Sequence, residues 1–344
     1  MSVALEDGVD LELVAAACER QAARPVAGIH DMAGYLAEQV SDESHREVLG
    51  PLLAGSGASG VVVHGGRTVG SWGDPAVPEM LFSATKSVVS LVAGIAYDRG
   101  LLDVDAKVGD SVALPQFQDA AGRDIRWLHL LQQTSQWHGE LWTKPALVDA
   151  QSRREGDEPT GGPPGSGWAY NDVRVNLLCL ALTALLGRSL PEVLREAVLV
   201  PLGASESWSW HGYRNTHLGA VPVVSGGAHW GGGMFMSAGD LARIGQLYLT
   251  GGRWAGRQLV SGDWLARSWR PCAVKREYGF LWWLNDLRTV FPNAPASGRA
   301  ARGNGGRHLL WVDPARDLVI ASHWGDDVEQ LINDVSAAVV RQRR

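Results

Sequence analysis

Apolar positions recur at helical spacing over residues 11 to 23, and Arg24-Pro25 closes that stretch, since a proline cannot continue a helix. Residues 60 to 72, GVVVHGGRTVGSW, change period and predict two short strands about Gly65-Gly66, a hairpin turn signal. A long helical stretch then runs from 83 to 99 and stops at Gly100. Helical stretches at 125 to 133, 172 to 186 and 190 to 199 follow, with a polar, Gly/Pro-rich loop over 151 to 167. A further helix is predicted over 238 to 249, after Gly231-Gly232-Gly233. The chain then returns to strands at 308 to 313 and 317 to 324, with Pro314-Ala315-Arg316 turning between them, and a last helix covers 327 to 342.

Strands therefore sit towards both ends and helices fill the middle. That order predicts an α+β fold with one antiparallel sheet drawn from both ends, flanked by terminal helices. Residues 1 to 115 and 221 to 344 form the discontinuous sheet unit, and 116 to 220 the inserted, mostly helical unit. A cleft between two such units is where ligand pockets tend to form.

Composition narrows the possibilities. The length of 344 residues is enough for two packed units. The net charge of -6, with no basic stripe beyond Arg341, Arg343 and Arg344, argues against nucleic acid as a partner. No apolar run approaches a membrane span. Glu6, Asp7 and Asp10 stand where a secretory signal would carry Lys or Arg, so the chain reads as cytoplasmic. Cys18, Cys179 and Cys272 lie far apart without a CxxC, which points to buried thiols rather than disulfides or zinc. The ten histidines show no metal-ligand spacing, and neither a metal nor an organic cofactor is expected.

Only four of the 31 basic residues are lysines, and one of them stands in Ser83-Ala84-Thr85-Lys86 at the head of a helix. Residues three apart on a helix share a face, so hydroxyl and amine can meet. The positive end of the helix favours an alkoxide at Ser83, and a neutral lysine can take its proton. The same tetrapeptide also fits a capping serine followed by a surface lysine, although a lysine in the first turn faces the wrong end of the helix dipole.

The segment LFSATKSVVSLVAGIAYDRGLLDVDAKVGD resembles the nucleophile region of class C β-lactamases and of the esterases, D-aminopeptidases and 6-aminohexanoate-dimer hydrolases related to them. IRWLHLLQQTS (125–135), PGSGWAYNDVRVNLL (164–178), HWGGGMFMSAGDLARIGQLYL (229–249), YGFLWW (278–283) and GNGGRHLLWVDPARDLVIAS (303–322) continue the similarity over about residues 55 to 325. The resemblance implies the β-lactamase-like fold and a serine hydrolase of the penicillin-recognising type. It makes Tyr170, in Tyr170-Asn171-Asp172, the partner base beside Lys86. Asp172 replaces an asparagine usual in that family; a carboxylate there would pair with Lys86 and hold it charged. No Lys-Thr-Gly is present. The corresponding strand is expected at 301 to 306, where Gly303, Asn304 or Gly305 would complete an oxyanion hole with the Ser83 N–H. Trp137, Trp168 and Trp230 fall in segments that border such a cleft and suit an apolar acyl pocket.

The expected activity is hydrolysis of a small ester or amide through an acyl-enzyme on Ser83. Acyl transfer from the same intermediate, and a non-catalytic binding protein that kept the fold, are the alternatives. GxSxG is absent, so an α/β-hydrolase lacks its nucleophile elbow.

Overall fold

The computed structural model describes residues 8–39, 47–146, 162–214, 216–227 and 233–339. Trp230, with His229, Gly231, Gly232, residues 151–161 and the three terminal arginines, lies outside the described residues.

One sheet has six strands: β1 (Ser59–His64), β2 (Arg67–Trp72), β3 (Trp283–Leu284), β4 (Arg299–Gly303), β5 (His308–Asp313) and β6 (Leu318–His323). Their order is β3-β4-β5-β6-β1-β2, and every pairing is antiparallel. The join between the two ends of the chain is β1 on β6, with Ser59 opposite His323 and His64 opposite Leu318. All six residues of β1, β5 and β6 are buried, as strands covered on both faces must be.

The main helices are α1 (Leu11–Ala22), α2 (Met32–Gln39), α3 (Thr85–Asp98), α4 (Asp172–Leu186), α5 (Ala238–Leu249) and α6 (Val328–Ala338). Val14 and Cys18 of α1 close over Gly70 of β2, whose cross-strand neighbours are Val62 and then Ile320. Gly245 of α5 presses on Val319 and Leu310. Val319 and Ile320 are adjacent in a strand and point to opposite faces, so α1 and α5 lie on opposite sides of the sheet. Arg20 of α1 pairs with Asp334 of α6 at 2.9 Å, holding the two ends of the chain side by side. A three-stranded ribbon of Pro78–Met80, Met234–Ser237 and Ser209–Trp210 leads the chain into the turn that carries Ser83.

Helix α4 is buried from Asp172 to Thr183 without a polar face, and it makes contact with α3. Among the described residues no single helix is long and apolar enough to cross a membrane. Several boundaries differ from the sequence expectation. The helix expected from 83 begins at Thr85, and Phe82–Ala84 form a separate 3-10 turn. The stretch expected over 125–133 is helical only over Trp127–Leu131, because Gln133 turns to φ 57°. The 190–199 stretch changes from α to π geometry at Arg195. The last helix runs over Val328–Ala338, inside the 327–342 expected. Asn171 caps α4: its side chain accepts from the Arg174 N–H at 2.9 Å, and Asp172, the next residue, turns its carboxylate to Lys86.

Candidate active site

The chain enters the Ser83 turn through a strained residue. Phe82 has φ 49°, a region that an aromatic residue adopts only under tertiary constraint. Ser83 is half-buried, whereas Lys86, one helical turn on, is 1% exposed. The expected meeting occurs: Lys86 Nζ lies 2.8 Å from Ser83 Oγ.

The same ammonium nitrogen lies 2.5 Å from Asp172 Oδ1, in a pair whose side chains are each 1% exposed. Burying a charge this far from water requires a counter-charge, and Asp172 is that group. Gly227 covers the pair so closely that a Cβ there would sit 2.5 Å from Lys86 Nζ. Its segment is held down by Asn176 of α4, whose Oδ1 accepts from Ser225 Oγ at 2.9 Å and from the Gly226 N–H at 3.0 Å. The Tyr170 ring faces Lys86 from another side, with Nζ 4.8 Å from the ring centroid.

Tyr170 belongs to an aromatic wall. It stacks on Trp283 at 5.8 Å, and Trp168 meets Tyr278 and Trp283 edge-on at 5.2 and 5.9 Å. Gln133 fixes the backbone here: its Oε1 accepts from the Asn171 N–H at 2.7 Å and its Nε2 donates to Tyr278 Oη at 2.9 Å. Cations cap the rings, Lys275 Nζ at 4.6 Å from Trp168 and the Arg302 guanidinium at 5.2 Å from Trp283. Trp137 stands apart from this ring cluster; it is buried, and its carbonyl accepts from Arg174 Nε at 2.9 Å.

The end of β4 closes the other side of the Ser83 turn. A Cβ on Gly303 would collide with the Leu81 carbonyl and come within 3.2 Å of the Ala84 N–H. Only glycine lets this strand approach the turn so closely. Asn304 has φ 49° and turns its side chain away, donating to Tyr35 Oη, while Gly305 faces open space. Of the three residues expected on this strand, Gly303 is the one pressed against the Ser83 turn.

Gly227, Asn176, Gln133, Tyr278, Trp283 and Tyr35 were not singled out by sequence reasoning. Tyr278 and Trp283 stand in the YGFLWW segment that carries part of the resemblance, and Gln133 in IRWLHLLQQTS. Asn176 stands in PGSGWAYNDVRVNLL, and Gly227 and Tyr35 have no local signal.

Behind the turn lies a second buried pair. His308 and His323 approach through their Nδ1 atoms at 3.0 Å, and the His308 ring packs on Phe82 at 5.1 Å. Burial pushes His323 down to about 4 and His308 well below its ordinary value, with the neighbouring imidazole and Arg307 adding to the effect on His308. All three cysteines are buried and unpaired; burial raises Cys18 to about 11 and Cys179 to about 12. Among the described residues no group of His, Cys, Asp and Glu is arranged to hold a metal.

Comparison with known proteins gives the fold and the family. A family model described as Beta-lactamase matches residues 45–328. A penicillin-binding protein homologue from Caulobacter crescentus shares 18% identity with a TM-score of 0.61, over 92% of this chain and 99% of its own. A D-stereospecific amidohydrolase from Streptomyces sp. superposes with a TM-score of 0.59 at 14% identity, covering 91% of this chain and 99% of that one. A β-lactamase from Sulfitobacter sp. EE-36 gives 0.56 at 19%, over 90% and 98%. No curated protein matches the sequence. At such identities the solved structures establish the fold, and the match over most of the chain establishes the family: this protein belongs to the β-lactamase family of serine hydrolases.

Proposed function

We propose that Ser83 is the nucleophile of a hydrolase for small esters or amides, working through a covalent acyl-enzyme. The observation that carries this reading is the 2.8 Å approach of Lys86 Nζ to Ser83 Oγ at the foot of a buried helix. Ser83 Oγ attacks the carbonyl carbon as its proton passes to the Lys86 and Tyr170 side. The developing oxyanion is met by the Ser83 N–H and by a backbone N–H of the Gly303 strand end. Tyr170 returns the proton to the leaving alkoxide or amine, and water then releases the acyl group. Asp172 engages Lys86, so Tyr170 carries more of the proton transfer than it would beside an asparagine. Trp168 and Trp283 supply the apolar wall for the acyl chain. In this reading residues 116–220 are the inserted unit and the substrate enters between it and the sheet unit.

The test is incubation with p-nitrophenyl acetate and butyrate beside a Ser83→Ala variant, with intact mass measured on quenched samples. A nitrophenol burst and an acyl adduct on the wild type alone support the reading. Ser83→Ala is expected to lose at least about 10³-fold in kcat. If neither protein reacts, and a penicillin and a fluorophosphonate also leave the mass unchanged, the non-catalytic binding protein becomes the better account.

A further inference from the structure

Beside the main core the N-terminal segment builds a second, smaller one. Met32, Tyr35 and Leu36 of α2 pack there against Met80, Phe82 and Trp324. Trp324 within this cluster has φ 52°, and two further residues with positive φ bear on Ser83. Phe82, at 49°, immediately precedes Ser83; Asn304, also at 49°, immediately follows Gly303. They therefore flank the two backbone segments that meet at the nucleophile. Backbone of this kind persists only where its surroundings over-determine it.

Tyr35 reaches both. Its Oη accepts from Asn304 Nδ2, and from Arg307 Nη1 at 2.9 Å. Arg307 is anchored in turn, its Nε 3.2 Å from Asp326 Oδ1. The Tyr35 ring lies edge-on to Trp324 at 5.4 Å, and Trp324 lies edge-on to Phe82 at 5.6 Å. Trp324 cannot swing, because its Nε1 donates to Glu79 Oε2 at 2.7 Å, and Glu79 Oε1 accepts from the N–H and hydroxyl of Ser56. One phenol thus joins, by its hydroxyl, the turn after Gly303 and, through one intervening indole, the residue before Ser83.

We propose that Tyr35 is a positioning residue for acyl transfer. It holds the Phe82 and Asn304 turns in register, so that the backbone N–H groups of Ser83 and of the β4 end converge on one carbonyl oxygen. The idea rests on the Ser83 acyl-enzyme reading. It adds that a residue from α2, about fifty positions before the nucleophile, sets how well the transition state is bound. A residue acting this way lowers the acylation rate when altered and leaves ground-state binding alone. A residue that merely packs lowers stability and leaves the chemistry of the folded molecules intact.

The experiment uses the full chain with Tyr35→Phe, Asn304→Ala and the double variant. Ser83 labelling by a fluorophosphonate, followed by intact mass, first establishes that the wild type acylates. Burst kinetics with p-nitrophenyl butyrate then give the acylation rate and the apparent substrate affinity, and thermal melting gives the folded fraction. Tyr35→Phe keeps the ring and loses the hydroxyl, so the expected result is an acylation rate down about 10-fold or more, with apparent affinity within about 2-fold. Asn304→Ala should behave alike, and the double variant should be no slower than the slower single, because both break one linkage. A wild-type acylation rate in Tyr35→Phe, or a loss that tracks the unfolded fraction alone, overturns the proposal. Failure of the wild type to label at Ser83 would instead remove the reading beneath it.

Discussion

Two buried polar pairs adjoin the Ser83 turn, and they meet the cost of burial in opposite ways. Lys86 and Asp172 are opposite charges 2.5 Å apart. His308 and His323 are like groups 3.0 Å apart, both held towards the neutral form by desolvation. Neither pair is exposed, so solvent does not distinguish them. The difference is the partner. A carboxylate lets an ammonium remain charged in the interior, whereas a second imidazole brings no counter-charge to offset burial. The ion pair therefore sits beside Ser83 Oγ, and the neutral pair behind Phe82.

The largest expected effect comes from breaking the charged pair on one side. Asp172→Ala leaves Lys86 in the core without its counter-charge and should cost about 3–5 kcal/mol in urea unfolding. A loss below about 1 kcal/mol would mean that the ammonium finds another partner or gives up its proton at little cost.

The neutral pair is probed by acid. Its imidazoles are hard to protonate in the fold, while in the unfolded chain they titrate near 6.5. As pH falls below 6.5 the unfolded state takes up protons that the folded state refuses, so stability drops until pH nears the folded value of about 4. For His323 alone the drop is about 3 kcal/mol across that window. Urea midpoints between pH 7 and 4 should fall less steeply in His323→Gln. An unchanged slope would assign the acid sensitivity to carboxylates.

Much of the fold was legible because its signals are local. The β1–β2 hairpin is marked by Gly65-Gly66 between apolar runs, and the β5–β6 hairpin by the turn after Asp313. Ser83 and Lys86 were legible for a related reason: a spacing of three brings two side chains together in a helical turn, and the change from 3-10 to α geometry at Thr85 does not undo it. The choice between Asn171 and Asp172 as helix cap was not legible, since both residues cap well and only the backbone of Asn171, at φ -150°, decides. Gly227 over the ion pair and Tyr35 on Asn304 were illegible in a stronger sense. Each is a contact between distant parts of the chain with no periodicity behind it. Helix α2 itself, eight residues with Gly34 inside, is too short to announce itself and is held by what it packs against.

The smallest expected change in stability gives the sharpest view of the charged pair. Asp172→Asn keeps the side chain's size under Gly227, so no cavity opens, and it restores the residue usual in the related enzymes. The amide oxygen can still accept a hydrogen bond from Lys86, so the loss should be smaller than that of Asp172→Ala. The catalytic effect should run the other way. If Asp172 holds Lys86 as an ammonium, removing its charge lets Lys86 release a proton and take the one on Ser83 Oγ. Acylation by p-nitrophenyl butyrate should then rise, by about 10-fold if Lys86 resumes the work of a general base. A fall of that size would invert the assignment: the carboxylate would then be part of the proton path, and Ser83, Lys86 and Asp172 would act as a single relay with Tyr170 at its side.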